Sequence, residues 1–277
     1  MSLGRCKSCG AELSGKYCSV CGEKLLTKED KLVKSWLRDV FSDLTNIDGK
    51  VLLTIKELFF FPARYALNFS QGIRVKYIKP LNLFLIANIL YFLLSGASTF
   101  KTSLQIQMSG LPYSTWIADL VEKKLDKEDK NIEEYAAQYN EKSNEISKLI
   151  IIMLVPVLGS VLFLCFKRNG LLLSEGFNLA YQFWAFFTFF FLLFIPALAW
   201  FLYNYTNILI FGAGENDIAY SIIILILSGI YIGFMMPAWK PQKWFIYVLR
   251  IILVIASFFP MIVVYRLLLF GLTFWLV

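Results

Sequence analysis

The chain has 277 residues, of which 58% are hydrophobic and 17% charged, with 26 phenylalanines, no histidine and a formal net charge of +7. That balance lies far from a soluble globular protein and predicts an integral membrane protein. The missing histidine excludes Ser-His-Asp and Cys-His catalysis, imidazole-ligated metal and the usual proton shuttle, and no Gly-rich phosphate loop is present. The expected fold class is an all-α polytopic membrane protein with about five transmembrane helices, preceded by amphipathic interfacial helices and a small N-terminal four-cysteine zinc ribbon.

The ribbon comes first. Residues 6–22 read "CKSCGAELSGKYCSVCG", which places Cys6, Cys9, Cys18 and Cys21 in two CxxCG knuckles. A CxxC turn points two sulfurs at one centre, the following glycine lets the backbone curl round them, and four thiolates make a tetrahedral zinc site. A ribbon over 1–26 has only Leu13, Tyr17, Val20 and Leu25 to bury, so structural Zn2+ is expected to hold it folded. The alternative for the same spacing is two disulfides, which an oxidising compartment would require. Cys165, alone in an apolar run, reads as a small buried hydrophobe.

Residues 27–80 form the next expected segment. Leu32, Val33, Trp36, Leu37, Val40, Phe41 and Leu44 fall on one side of a helical wheel, predicting an amphipathic helix. A second helix, Lys50–Phe61, is predicted to stop at Pro62. Both either lie in the lipid interface or pack on the ends of the bundle. Arg64, and then Arg74, Lys76 and Lys79 around Tyr77, make a basic, aromatic collar ahead of the first apolar run. Anionic lipid headgroups are the expected partners of this collar, and nucleic acid is not.

Residues 81–277 are expected to form the transmembrane bundle. Five runs are apolar enough to cross about 30 Å of hydrocarbon: 81–98, 149–166, 177–203, 218–236 and 245–270. No apolar stretch in the first thirty residues suggests a cleavable signal peptide, so the first span is expected to target the chain. Basic residues cluster before the first span, at Lys167 and Arg168, and at Lys240 and Lys243, while the loop 204–217 has none. The positive-inside rule then puts the N-terminus in the cytoplasm and the C-terminus outside. The charged stretch 99–148 is expected to be a solvated extracytoplasmic helical loop. The 34-residue run from Trp244 is too long for one simple span. Either Arg250 and Arg266 each snorkel to an interface and leave 267–277 as a re-entrant or interfacial tail, or Pro260 kinks one tilted helix and Arg266 meets a partner such as Glu175.

Two polar stripes remain within the apolar runs. Glu175, Asn178 and Gln182 recur at i, i+3 and i+7, as do Asn88, Tyr91 and Ser95. Facing spans would turn them into an intramembrane polar site, with Arg266 a further candidate; helix–helix hydrogen bonding with a cap at Ser174 is the plainer reading.

The double CxxCG start, the segment "FFFPARYALNFSQGIRVKYIKPLNLFL" and the late "VYRLLLFGL" together resemble a family of uncharacterised bacterial inner-membrane proteins, a domain of unknown function with an N-terminal zinc ribbon. Pro62, Gly72, Arg74, Tyr77, Pro80, Tyr265 and Arg266 carry the resemblance, which spans most of the chain outside 99–148. The chain departs from the family pattern in having Glu175 and Asn178 where a histidine is often found near the start of the third span. The resemblance implies a multi-pass inner-membrane architecture and no reaction. Two functions follow as expectations: a non-enzymatic, membrane-anchored adaptor whose ribbon docks a cytoplasmic protein, or a small-molecule or lipid transporter or channel built on the polar stripes. A homo-oligomer is compatible with either.

Overall fold

The structure, a computed structural model, describes residues 5–23, 50–94, 102–110, 113–128, 130–206, 217–239 and 243–277. The expected amphipathic helix at 30–44, Leu25, and most of the loops at 204–217 and 240–243 lie outside these residues. Helices dominate and no named strand occurs among the described residues. Backbone contacts divide the chain into two units, residues 1–94 with 158–255 and residues 95–157 with 256–277.

The first unit holds the ribbon and helices α1 (Lys50–Phe60), α2 (Pro62–Ser70) and α3 (Pro80–Leu94). It also holds most of α7 (Leu154–Phe166) and of α11 (Trp244–Ala256), together with α8 (Leu173–Phe187), α9 (Ile195–Thr206) and α10 (Asp217–Met235). The break between α1 and α2 falls at Pro62, as the sequence predicts, because proline cannot donate to the carbonyl of Leu58 four residues back. Helix α3 packs along α8, burying Leu83, Phe84, Ala87 and Tyr91 against a face that includes Leu179, Ala180 and Phe183. Helices α7 and α8 cross where two glycines meet: a Cβ added at Gly176 would lie 2.6 Å from the carbonyl oxygen of Gly159.

Between α8 and α9 the helix widens into a π-helical segment, Thr188–Phe194. Phe186, Phe190 and Phe194 stack along it with centroids 5.4 and 5.9 Å apart and ring planes within 16°. Tyr231 of α10 stacks on Phe186 at 3.7 Å, nearly parallel.

The second unit contains α4 (Leu104–Ser109), α5 (Ser114–Glu128), α6 (Ile132–Ile150) and α12 (Phe258–Leu276). Here the charged stretch differs from the expected solvated helix. Ile117 and Val121 of α5, and Tyr135 and Tyr139 of α6, are fully buried with Leu104 and Phe270 in one core. Pairs four residues apart share a helix face, so an overall polar composition conceals an apolar stripe. Asn131 caps α6 by accepting from the Glu133 amide at 3.0 Å, and Ser103 caps α4. Lys124 donates to the Phe274 carbonyl at 2.7 Å, a cation placed on the last turn of α12.

Among the described residues, three helical stretches are long and apolar enough to cross a membrane: Ile151–Asn169, Leu173–Tyr205 and Trp244–Leu276. Pro80–Leu94 and, within α10, Ile222–Met235 are further apolar helical stretches among the described residues. The last run is helical on both sides of a turn at Ser257, where Pro260 has no N–H for the Ala256 carbonyl, and it continues to Leu276. Residues 267–276 are helical.

Candidate metal centre and the 71–79 loop

The two knuckles repeat one backbone pattern. In the first, the Gly10 amide donates to the Cys6 carbonyl (2.8 Å) and the Cys6 amide to Ala11 (2.7 Å). In the second, Gly22 donates to Cys18 (2.9 Å) and Cys18 to Glu23 (2.8 Å). Gly10 and Gly22 both adopt positive φ, 78° and 72°, which a side chain would strain. An antiparallel bridge between Arg5 and Glu12 joins the strand-like edges of the first knuckle.

The four sulfurs end within 4.8 Å of one another, with Cys6–Cys21 and Cys9–Cys18 each at 3.5 Å. Sulfurs held about 2.3 Å from a tetrahedral ion would stand roughly 3.8 Å apart, so this donor set fits a metal ion. All four are free thiols. The amides of Cys21 and then Val20 bring the Cys18 thiol down to about 6. The Glu23 amide also pulls on Cys21, but burial and the other three thiols overcome it and push Cys21 up to about 12. Four sulfurs this close cannot all ionise without a cation among them, which is the charge balance a divalent metal supplies.

Of the described apolar residues expected inside the ribbon, only Leu13 is buried. Tyr17 is 58% and Val20 73% exposed. The two knuckles close over the sulfurs and Leu13, with Ala11 packed alongside.

The loop that follows α2 is pinned at four points. The Glu23 carboxylate, itself buried, accepts from the Arg74 amide at 3.1 and 3.3 Å and from the Val75 amide at 3.1 Å. The Ile78 amide donates to the Thr54 hydroxyl at 3.0 Å, and the Tyr65 hydroxyl donates to the Ile78 carbonyl at 2.6 Å. Asn68 donates to the Tyr77 hydroxyl at 2.7 Å. Burial raises the Tyr77 hydroxyl; Asn68 partly offsets this, and the Glu57 carboxylate adds to it. Gly72, at φ 95°, makes the turn that aims these amides.

Side chains from two other helices bond at the Pro62 break, one of them to the carbonyl that the proline leaves without a donor. The Tyr231 hydroxyl donates to the Leu58 carbonyl at 3.0 Å, and Gln182 donates to the Pro62 carbonyl at 2.9 Å. Around it the basic collar lies on aromatic faces: the Arg64 guanidinium sits 4.6 Å over Phe61 and 3.9 Å from Glu57, and Arg74 sits 4.8 Å over Phe69. Lys76 is exposed and Lys79 partly so.

The polar stripe on α8 does converge. Glu175, Asn178 and Gln182 line one small hollow with Ser70, Phe69 and Trp239, a space that holds about one water. Its polar groups are largely engaged elsewhere. Glu175 turns back to accept from the Leu172 amide at 2.9 Å, so Leu172, and not Ser174, begins the helix. Asn88 is not part of this hollow; its amide donates to Phe84 on its own helix at 2.8 Å. Arg250 donates to Asn169 and lies over Phe166. Arg266 belongs to the second unit, where its carbonyl accepts from Gln107 at 3.3 Å.

Glu23, Thr54, Glu57 and Tyr231 were not foreseen as site residues. Glu23 alone had a local signal, since it directly follows the second CxxCG.

No curated protein and no solved structure matches the chain. A family described as "Protein of unknown function (DUF3667)" matches residues 48–92, a segment that contains Pro62, Gly72, Arg74, Tyr77 and Pro80 and leaves the ribbon and Tyr265–Arg266 outside the match.

Proposed function

We propose that this chain is a membrane-anchored, non-enzymatic adaptor of a bacterial inner membrane, in which a structural Zn2+ shapes the ribbon into a cytoplasmic docking knob. The observation that carries the reading is the pair Tyr17 and Val20. A segment with so little to bury nevertheless leaves two large apolar side chains in solvent, while the end of the same knuckle is fastened to the 71–79 loop by Glu23. Apolar and aromatic groups held out on a rigid, metal-held turn suit recognition by a protein better than they suit folding. The basic collar of Arg64, Arg74, Lys76 and Lys79 supports contact with anionic headgroups, and with it a cytoplasmic N-terminus.

The transport alternative draws on the α8 stripe. Gln182 is committed to Pro62, Glu175 to its own helix start, and Asn88 to its own turn, so these groups support packing more than passage. Substituting Tyr17 and Val20 with aspartate should leave one metal per chain and reproduce the cellular defect of deleting residues 1–24, whereas Glu175→Gln should be silent. The opposite pattern, a silent ribbon and a defective Glu175→Gln, would replace the adaptor reading with transport.

A further inference from the structure

We infer that the Arg74 and Val75 amides form a phosphate-accepting site and that the metal-held ribbon closes this site from within the chain through Glu23. Three features lead there. Two successive N–H groups, aimed outward by the positive-φ turn at Gly72, converge on one two-oxygen anion at 3.1–3.3 Å. Successive amides in such a concavity bind carboxylate and phosphate oxygens alike. The surroundings are cationic, with Arg74, Lys76 and Lys79 on the same loop, and the residue seated there is buried, with 6% exposure.

The third feature is the position of Glu23 in the metal knuckle. Its carbonyl accepts from the Cys18 amide at 2.8 Å and its amide bonds to the Cys21 sulfur. One residue thus joins two metal ligands to two loop amides. When the knuckle is folded round its ion, the carboxylate is delivered to the loop; when the ion leaves, nothing in the short ribbon fixes Glu23, and the amides become open to another anion. The chemistry they would take is a phosphate group, from a lipid headgroup or from free phosphate.

The inference rests on the metal reading and not on any docked protein. The test uses the full-length chain in nanodiscs of neutral phosphatidylcholine, following hydrogen exchange at the Arg74 and Val75 amides by mass spectrometry alongside the metal content. Wild type with its metal should protect both amides and ignore added phosphate or phosphatidylglycerol. Metal withdrawal, and separately Glu23→Ala with the metal retained, should each speed exchange about tenfold. Protection should then return on adding an anion: recovery with phosphatidylglycerol alone identifies the headgroup, and recovery with inorganic phosphate identifies a soluble ligand. If Glu23→Ala sheds its metal, Glu23→Gln with metal bound takes its place and should show a smaller acceleration. Exchange unchanged from wild type, or open amides that neither anion protects, overturns the site. Absence of metal from the purified wild type would instead overturn the metal reading on which it stands.

Discussion

Removing one hydroxyl from α10 should destabilise the break at Pro62. Tyr231→Phe keeps the ring stacked 3.7 Å over Phe186 and deletes only the O–H that donates to Leu58. That carbonyl cannot recruit the amide four residues on, because residue 62 is proline, and Leu58 is completely buried. An orphaned buried carbonyl costs about 1–3 kcal/mol, whereas hydrogen bonds between helices in lipid average nearer ~0.6 kcal/mol. The expected loss is therefore about 1–2 kcal/mol, or roughly 2–8 °C in Tm for a unit of this size. Thermal unfolding in mild detergent, followed by near-UV circular dichroism, measures it, with the exposed Tyr205→Phe as a control. Pro62→Ala restores a donor, so in that background Tyr231→Phe should cost little. An unchanged Tm, or an equal cost with alanine at 62, would refute the argument that the hydroxyl substitutes for the missing amide.

The ribbon should carry one metal ion per chain by elemental analysis, and a Cys9→Ser, Cys18→Ser double variant almost none; full occupancy in that variant would remove the thiolates as ligands. Metal ligation requires sulfurs that have lost their protons, so acidification should release the ion, as a chromogenic chelator would show; metal retained in strong acid would argue against thiolate ligands. Gly176→Ala drives a methyl to 2.6 Å from the Gly159 carbonyl, a rigid neighbour, and should cost about 1–3 kcal/mol in the same thermal assay; a neutral result would mean that α7 and α8 do not cross closely there. Reporter cysteines near Lys130 should be labelled from outside sealed cells and reporters at Ser19 should not; a labelled Ser19 would reverse the proposed orientation.

The metal cluster was legible because its signal is local: each CxxCG fixes two sulfurs and a positive-φ glycine within five residues. The stop at Pro62 was equally legible, since a missing N–H acts on the carbonyl four residues away wherever the chain goes, whereas a kink due to Pro260 stood only as one of two alternatives and the break falls at Ser257. What escaped was long in sequence and short in space. Glu23 meets Arg74 across 51 positions, and Tyr231 meets Leu58 across 173, so no window of the sequence contains both partners. Tyr17 and Val20 were misplaced because hydrophobicity says what a residue gains by burial, not whether a ribbon this thin has an inside to receive it. In 113–148 the charges dominated the composition, while burial was decided by positions four apart that the charges surround.

The π-helical segment at Thr188–Phe194 breaks the phase of the longest apolar stretch. A wide turn inserts about one residue relative to an unbroken α-helix, which rotates everything beyond it by about 100°. A wheel drawn through Leu173–Tyr205 as one helix would therefore assign the wrong face to Leu198, Phe201 and Tyr205. The inward-facing stripe that begins at Glu175 ends near Phe187 for this geometric reason. For anyone grafting or trimming this region, α8 and α9 are two separately phased rods. Deleting one residue inside 188–194 should remove the extra position and restore a regular helix, leaving α9 with the same side chains toward its neighbours, whereas a deletion within α8 itself would change the phase of everything beyond it.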